Sequence, residues 1–253
     1  MTLSSYHSSP KAILTRAAVA ALVMAGGASA IDAQVAVHQF SITTRAGGIH
    51  FDRAASLKTA ALLGLDAEYS LTRNFGIGTS INVSRPNTRA EDFLSVLTFG
   101  LGATGDTTLF VQTGQSVSLI EGSIVGVGRF PAGRFTPFVL GGGGLYGMFL
   151  DPEINAGSRR MSGISGTVGG GLAVRLSDRA GIQFDARDLV FTKYRASRLD
   201  PTGQRSPNTI FIEDFPAAPS RKETVHNFMF SLGFRYLPGG APQGGGRGEG
   251  SGT

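Results

Sequence analysis

Three histidines lie outside the N-terminal segment, His38, His50 and His226, and these are the side chains suited to proton transfer near neutral pH. A lipid-modifying hydrolase needs such a histidine beside a serine nucleophile and a carboxylate. His226 has Glu223, Thr224 and Asn227 as sequence neighbours and His50 has Asp52, but neither sits in a serine-containing motif. Both read as solvated histidines at loop edges, and no catalytic residue is assigned. Gly100-Leu-Gly-Ala-Thr-Gly105 matches the glycine pattern of dinucleotide sites. That chemistry requires a strand before the glycines and a helix N-terminus after them. The following Asp106-Thr-Thr-Leu-Phe-Val-Gln112 reads as extended, so the match is a glycine-rich loop tip. Two carboxylate pairs, Asp66/Glu68 and Glu213/Asp214, suit acid–base work or calcium. The first shares a strand face opposed to arginines, which favours charge pairing, and the second is a solvated acidic turn. The chain has no cysteine, so no cysteine-ligated metal is possible. Neither a metal nor a cofactor is expected.

The remaining charges within patterned segments occupy alternate positions, which is the spacing of one strand face. In 56–71, Leu63, Leu65 and Tyr69 alternate with Asp66 and Glu68. After Thr72-Arg-Asn74, Phe75, Ile77 and Ile81 alternate with glycine, serine and asparagine, so the two arms form a tight antiparallel hairpin. Leu172 and Val174 oppose Arg175, and Phe184 opposes Asp185 and Arg187. Phe228, Phe230, Phe234 and Tyr236 oppose Arg235, while Arg45 opposes Phe40 and Ile42. Glu121 and Arg129 share a face with Val125 and Val127. The charged face thus carries five cations, Arg45, Arg129, Arg175, Arg187 and Arg235, and four anions, Asp66, Glu68, Glu121 and Asp185. Those numbers suit mutual pairing inside a narrow tube.

Strand character appears at Val35 to Ile49 and at 56–71, 74–85, 116–130, 135–150, 160–176, 180–194 and 224–237. Asp188 interrupts the alternation of its segment and suggests a bulge, and Gly141 to Gly144 interrupt another. Joins at 72–73, 131–134 and 177–179 are short, whereas 86–115 and 195–223 are long and rich in Arg, Asp, Thr, Pro and Gly. Alternating short and long connections are the pattern of an up-and-down barrel that crosses an outer membrane. An eight-stranded barrel is the simplest count. A ten-stranded one, with Asp92 to Gly102 and Thr107 to Gly114 as a further hairpin, stays open.

The N-terminus reads as an export signal over 1–33: Lys11 and Arg16 precede the apolar run Ala17 to Met24, and cleavage after Ala33 or Ala30 follows small residues. The barrel then occupies 34–238, and the Gly-rich 239–253 reads as a disordered tail. No apolar run is long enough for a membrane-spanning helix. Charged residues are only 16% of the chain and glycines number 37. The formal charge of +5 is dispersed, with no basic run beyond Arg159-Arg160 and Arg221-Lys222, so nucleic acid is not a partner.

The outcome turns on which face points inward. In a soluble barrel the apolar face fills the interior, and in a membrane barrel the polarity is reversed. Charge-studded, glycine-rich faces make a poor shared core, which favours charges inside and grease outside. The hairpin beginning at Gly64, the segment Phe135-Thr-Pro-Phe-Val-Leu-Gly-Gly-Gly-Gly144 and the closing Phe228-Met-Phe-Ser-Leu-Gly-Phe-Arg-Tyr236 resemble the small outer-membrane β-barrel family of the OmpA/OmpX type. The resemblance implies an all-β, eight-stranded antiparallel transmembrane barrel with a polar, charge-paired interior, in a Gram-negative-type bacterium. It implies the outer-membrane assembly machinery as a partner, and the barrel is read as a monomer with outer-membrane lipid and lipopolysaccharide as further expected partners. The expected role is non-catalytic, structural or surface-interacting through loops 86–115 and 195–223. The alternatives are a narrow passive, porin-like channel or a lipid-acting enzyme. Family members usually end on an aromatic residue, and this chain instead adds Pro238 and the tail.

Overall fold

The computed structural model describes residues 38–100, 106–112, 114–150, 159–199 and 220–238. The proposed leader 1–33, the tail 239–253 and the Glu213/Asp214 pair lie outside the described residues. Ten strands run in chain order: β1 (Phe40–Phe51), β2 (Ala60–Ser70), β3 (Phe75–Ser84), β4 (Leu94–Gly100), β5 (Asp106–Gln112), β6 (Val117–Arg129), β7 (Phe135–Leu150), β8 (Arg159–Arg175), β9 (Ala180–Phe191) and β10 (Val225–Tyr236). Eight of them close into an antiparallel barrel in the order β1-β10-β9-β8-β7-β6-β3-β2. Every barrel strand pairs with the next in sequence around the ring, apart from the excursion between β3 and β6. Closure is made by β1 against β10, from Ile42 opposite Tyr236 to Phe51 opposite Asn227.

β4 and β5 pair only with each other, Leu94 opposite Gln112 through Gly100 opposite Asp106. They form a hairpin beyond the barrel wall, which resolves the ten-stranded alternative in favour of eight. Gly100 of the glycine pattern ends β4 and Asp106 opens β5, and the rest of that pattern lies outside the described residues. A strand, not a helix, follows the glycines.

The three short joins lie at one end and are closed by local chemistry. Thr72 Oγ1 accepts from the amides of Asn74 and Phe75 at 3.3 and 3.0 Å. Ser177 Oγ accepts in the same way from Arg179 and Ala180 at 3.3 and 3.1 Å. Gly133 has φ +63°, a conformation that L side chains rarely adopt, and so turns β6 into β7.

Alternation places the faces. Leu63, Ile81 and Phe230 are 60%, 50% and 62% exposed, whereas Arg45, Glu121, Arg129 and Arg187 are at most 3% exposed. The apolar stripe therefore covers the outside and the charges fill the middle of the lumen. The inner face also needs glycine: a Cβ on Gly64 would sit 2.8 Å from Arg45 Nη2, and one on Gly76 would sit 2.6 Å from Glu68 Oε1. Glycine there leaves space for guanidinium and carboxylate groups.

Two features of the strands differ from expectation. β9 carries no bulge at Asp188, because its register runs unbroken, with Asp188 opposite Phe228 and Val168. Asp188 faces outward, and Leu189 and Phe191 face inward because the lumen turns apolar at that height. β7 likewise runs straight through Gly141 to Gly144.

Candidate functional site

The lumen holds two charge clusters stacked along the axis. In the middle, Asp66 on β2 receives both Arg45 from β1 and Arg187 from β9. Arg45 Nη2 donates to Asp66 Oδ1 at 2.8 Å and Arg187 Nη2 to Asp66 Oδ2 at 2.5 Å. Arg187 Nη2 also donates to Asp185 Oδ2 at 3.1 Å, and Asp185 Oδ1 accepts from Ser231 at 2.6 Å. Two guanidiniums thus balance two carboxylates. Such a buried quartet specifies geometry because removing one member leaves an uncompensated charge.

Glu121 stands above the quartet and pairs with no cation among the described residues. Its two oxygens accept from Asn82 Nδ2 at 2.7 Å and Ser165 Oγ at 3.0 Å. Asn82 Oδ1 in turn accepts from Arg45 Nη2 at 2.8 Å. Asn82, Ser80, Ser165 and Ser231 were not singled out in the sequence. Their signal was available, since each falls on the same alternating face as the charges.

The second cluster lies toward the short-turn end. Glu68 bridges Arg129 and Arg235, contacting Arg129 Nη2 closely and Arg235 Nη2 at 3.4 Å. Ser70 accepts from Arg129 and Ser41 from Arg235, both at 3.1 Å. Arg175 does not join either cluster. It sits half-buried at the last register position of β8, opposite Gly181, and has no side-chain partner among the described residues. Between the clusters lies a cavity of about 20 Å³, sufficient for one water-sized species.

Above the charges, the outer end of the lumen is apolar. Ile49, Phe51, Leu62, Leu119, Met148 and Leu189 point in from the strand tops, and Leu57, Phe93, Tyr194 and Leu199 descend from the connections. Tyr194 stacks near Tyr146, whose ring lies 4.4 Å from that of Phe191. Tyr194 Oη donates to the Ala55 carbonyl at 2.7 Å, and Gln115 Nε2 donates to the Leu199 carbonyl at 2.9 Å. Burial pushes the Tyr194 hydroxyl well above its ordinary pKa, with Tyr146 adding to the shift. Alternation alone assigns these strand-end positions to a face and does not foretell the cap. A smaller apolar wall of Val125, Val127, Phe138 and Leu140 lines the lower lumen.

At the outer rim, His226 Nδ1 lies 2.7 Å from Asp188 Oδ2, and no serine or threonine hydroxyl is bonded to His226 among the described residues. His226 is the second residue of β10, at the edge of the preceding connection, and its side chain is half exposed. His50 Nδ1 lies 2.9 Å from Thr59 Oγ1, and His38 Nδ1 lies 3.1 Å from Tyr69 Oη at the opposite end. Beside His226, Lys222 Nζ donates to Asp52 Oδ2 at 2.9 Å and the Ala54 amide donates to Asp52 Oδ1 at 3.0 Å. Desolvation raises the Asp52 pKa, but the bonds from Lys222, Ala54 and the His226 backbone outweigh it and hold the carboxyl below its usual value. Among the described residues no group of three or more His, Asp or Glu side chains is placed to hold a metal.

On the outer surface Leu65, Tyr69, Phe75, Ile77, Phe184, Phe234 and Tyr236 are exposed, and Leu172, Val174 and Phe228 face the same way half-buried. Phe40, Tyr69, Phe75, Phe130, Phe135 and Tyr236 gather at the short-turn end as an aromatic belt. A closed ring, grease outside and paired charge within, satisfies every requirement for crossing lipid with strands. The fold is that of a small eight-stranded outer-membrane barrel.

No family model matches the sequence, and no curated protein matches it. Among solved structures, the chain is similar to the Neisserial surface protein A barrel, with 11% identity and a TM-score of 0.49 over 78% of this chain and 96% of that one. It is similar to Ail, the attachment invasion locus protein of Yersinia pestis, in a complex with the heparin analogue sucrose octasulfate. There the identity is 14% and the TM-score 0.43, over 79% of this chain and 100% of that one. The outer membrane protein OprG of Pseudomonas aeruginosa gives 12% identity and a TM-score of 0.40, over 79% and 97%. The fold assignment rests on the barrel's own topology and polarity.

Proposed function

We propose that this protein is an exported, non-catalytic barrel of a bacterial outer membrane, closed to ions and acting through its extracellular rim. The observation that carries the reading is the apolar cap. Among the described residues, Phe51, Leu62, Leu119, Met148, Leu189 and Tyr194 form an apolar layer across the lumen beyond the quartet and Glu121. Dry apolar packing resists water entry, so pairing of the charges below is not needed to stop conduction.

The rim's charge supports an anionic partner. Lys58, Lys193, Arg195, Arg198 and Arg221 are exposed, while Asp52, Asp92 and Asp188 are already engaged by Lys222, Arg53 and His226. Lipopolysaccharide phosphates in the outer leaflet fit those cations through charge-assisted bonds. Insertion would proceed through the assembly machinery, for which β10 offers its alternating aromatics. The barrel acts as a monomer in this reading.

Planar-bilayer recording of the purified protein tests the closure: no unitary steps are expected in symmetric salt. Reproducible single-channel steps from the wild-type barrel would establish the channel alternative and end this reading.

A further inference from the structure

The charges at the short-turn end do not balance locally. Arg129 and Arg235 share one carboxylate, Glu68, whereas the quartet above is neutral in itself. The remaining lumen anion, Glu121, lies eight residues before Arg129 on β6. At about 3.3 Å per strand residue that is about 26 Å of strand, too far to compensate a guanidinium directly. Arg129 is 1% exposed. The Nε atoms of Arg129 and Arg235 are both buried without a hydrogen-bond partner. A buried N–H donor on a charged group is among the costliest groups to leave unsatisfied.

Both guanidiniums line the cavity of about 20 Å³. Its other charged walls are Arg187, Asp66 and Glu68, so three cations face two anions there. Thr43 and Gln183 add polar groups, and Val125, Val127, Phe138 and Leu140 form an apolar back wall. Around the mouth, Arg134 and Arg179 at the turn tips and the half-buried Arg175 outnumber Asp178, so the local field is positive. Donors, positive charge, an apolar wall and room for one small species define a halide-sized anion site.

We propose that the periplasmic end of the lumen binds a single monatomic anion, chloride, between Arg129 and Arg235. Chloride neutralises the uncompensated guanidinium and accepts from N–H donors that Glu68 cannot reach. The small volume and the apolar back wall favour a monatomic anion over sulfate, phosphate or a carboxylate. This inference does not depend on the closure of the outer mouth or on the rim's partner.

The test uses the wild-type barrel refolded in detergent, with thermal unfolding followed at equal ionic strength in sodium chloride, bromide and sulfate. The unfolding midpoint is expected to be higher in chloride and bromide than in sulfate, and the chloride-35 line width to show saturable broadening. Arg235→Gln removes that saturable broadening and the halide dependence. Glu68→Gln has the opposite sign: with the competing carboxylate gone, apparent chloride affinity rises by about tenfold, equivalent to about 1.4 kcal/mol. A merely structural role for Glu68 would instead weaken everything together. Equal midpoints for the wild type in chloride and sulfate overturn the site and assign the cavity to water, whatever the variants do. Unchanged broadening in Arg235→Gln, or weaker chloride binding in Glu68→Gln, overturns it equally.

Discussion

Asp66 is a carboxylate on which the lumen's charge geometry converges, since it accepts from both Arg45 and Arg187. Asp66→Asn keeps the shape and deletes the charge, leaving two guanidiniums to share Asp185. Breaking a buried pair from one side costs on the order of 3–5 kcal/mol. Urea unfolding of the refolded barrel should show a loss of that order; a change within experimental error would mean that the quartet is solvated. Asp52 shows the same physics outside the membrane. Its folded-state pKa is depressed, so its contribution is full above the unfolded value and is lost as pH falls through the folded one. A carboxyl-carbon NMR titration of Asp52 should have its midpoint below 3.8. In Lys222→Met the midpoint should move upward.

At the scale of elements, the barrel strands depend on one another, whereas the β4–β5 hairpin pairs with none of them. Replacing 94–112 by a short Gly-Ser linker should leave the barrel folded, since long surface connections cost little in closure entropy. The check is retention of heat-modifiable migration on electrophoresis, and its loss would show that the hairpin is needed for closure. The connections that form the cap behave differently. Tyr194→Phe removes the donor to Ala55 and should cost about 1 kcal/mol. Hydrogen exchange should register it as faster exchange in 53–57 and 194–199, with β2 and β3 unchanged.

For the whole molecule, the decisive property is the direction of its polarity. A charge placed on the outer wall near the middle of β10, as in Phe230→Arg, should destabilise the barrel in a bilayer by about 2–4 kcal/mol. Phe230 is 62% exposed, so in water the same change would cost little. Unfolding in lipid vesicles, set against the wild type, separates the two cases. Both ends of the barrel carry exposed cations, but the arrangement differs. The outer rim neutralises several of its carboxylates internally, while the short-turn end concentrates arginines around a single shared glutamate.

Much of this architecture was legible from residue order alone. Period-2 alternation in 63–83 and 228–236 determined the strands and divided their residues into two faces, because adjacent side chains of a strand must point oppositely. Charge and glycine on one face, with Leu, Ile and Phe on the other, determined which face could tolerate lipid. What alternation cannot say is who meets whom across the ring. Arg187 reaches Asp66 over a separation of 121 residues, which depends on register and closure, and His226 reaches Asp188 over 38, which depends on the β9–β10 register. Tertiary structure likewise decided that Asp188 needs no bulge, that Arg175 stays outside the network and that the outer lumen is apolar. Those outcomes follow from the height of each residue along the barrel axis, a coordinate that exists only once the sheet has closed.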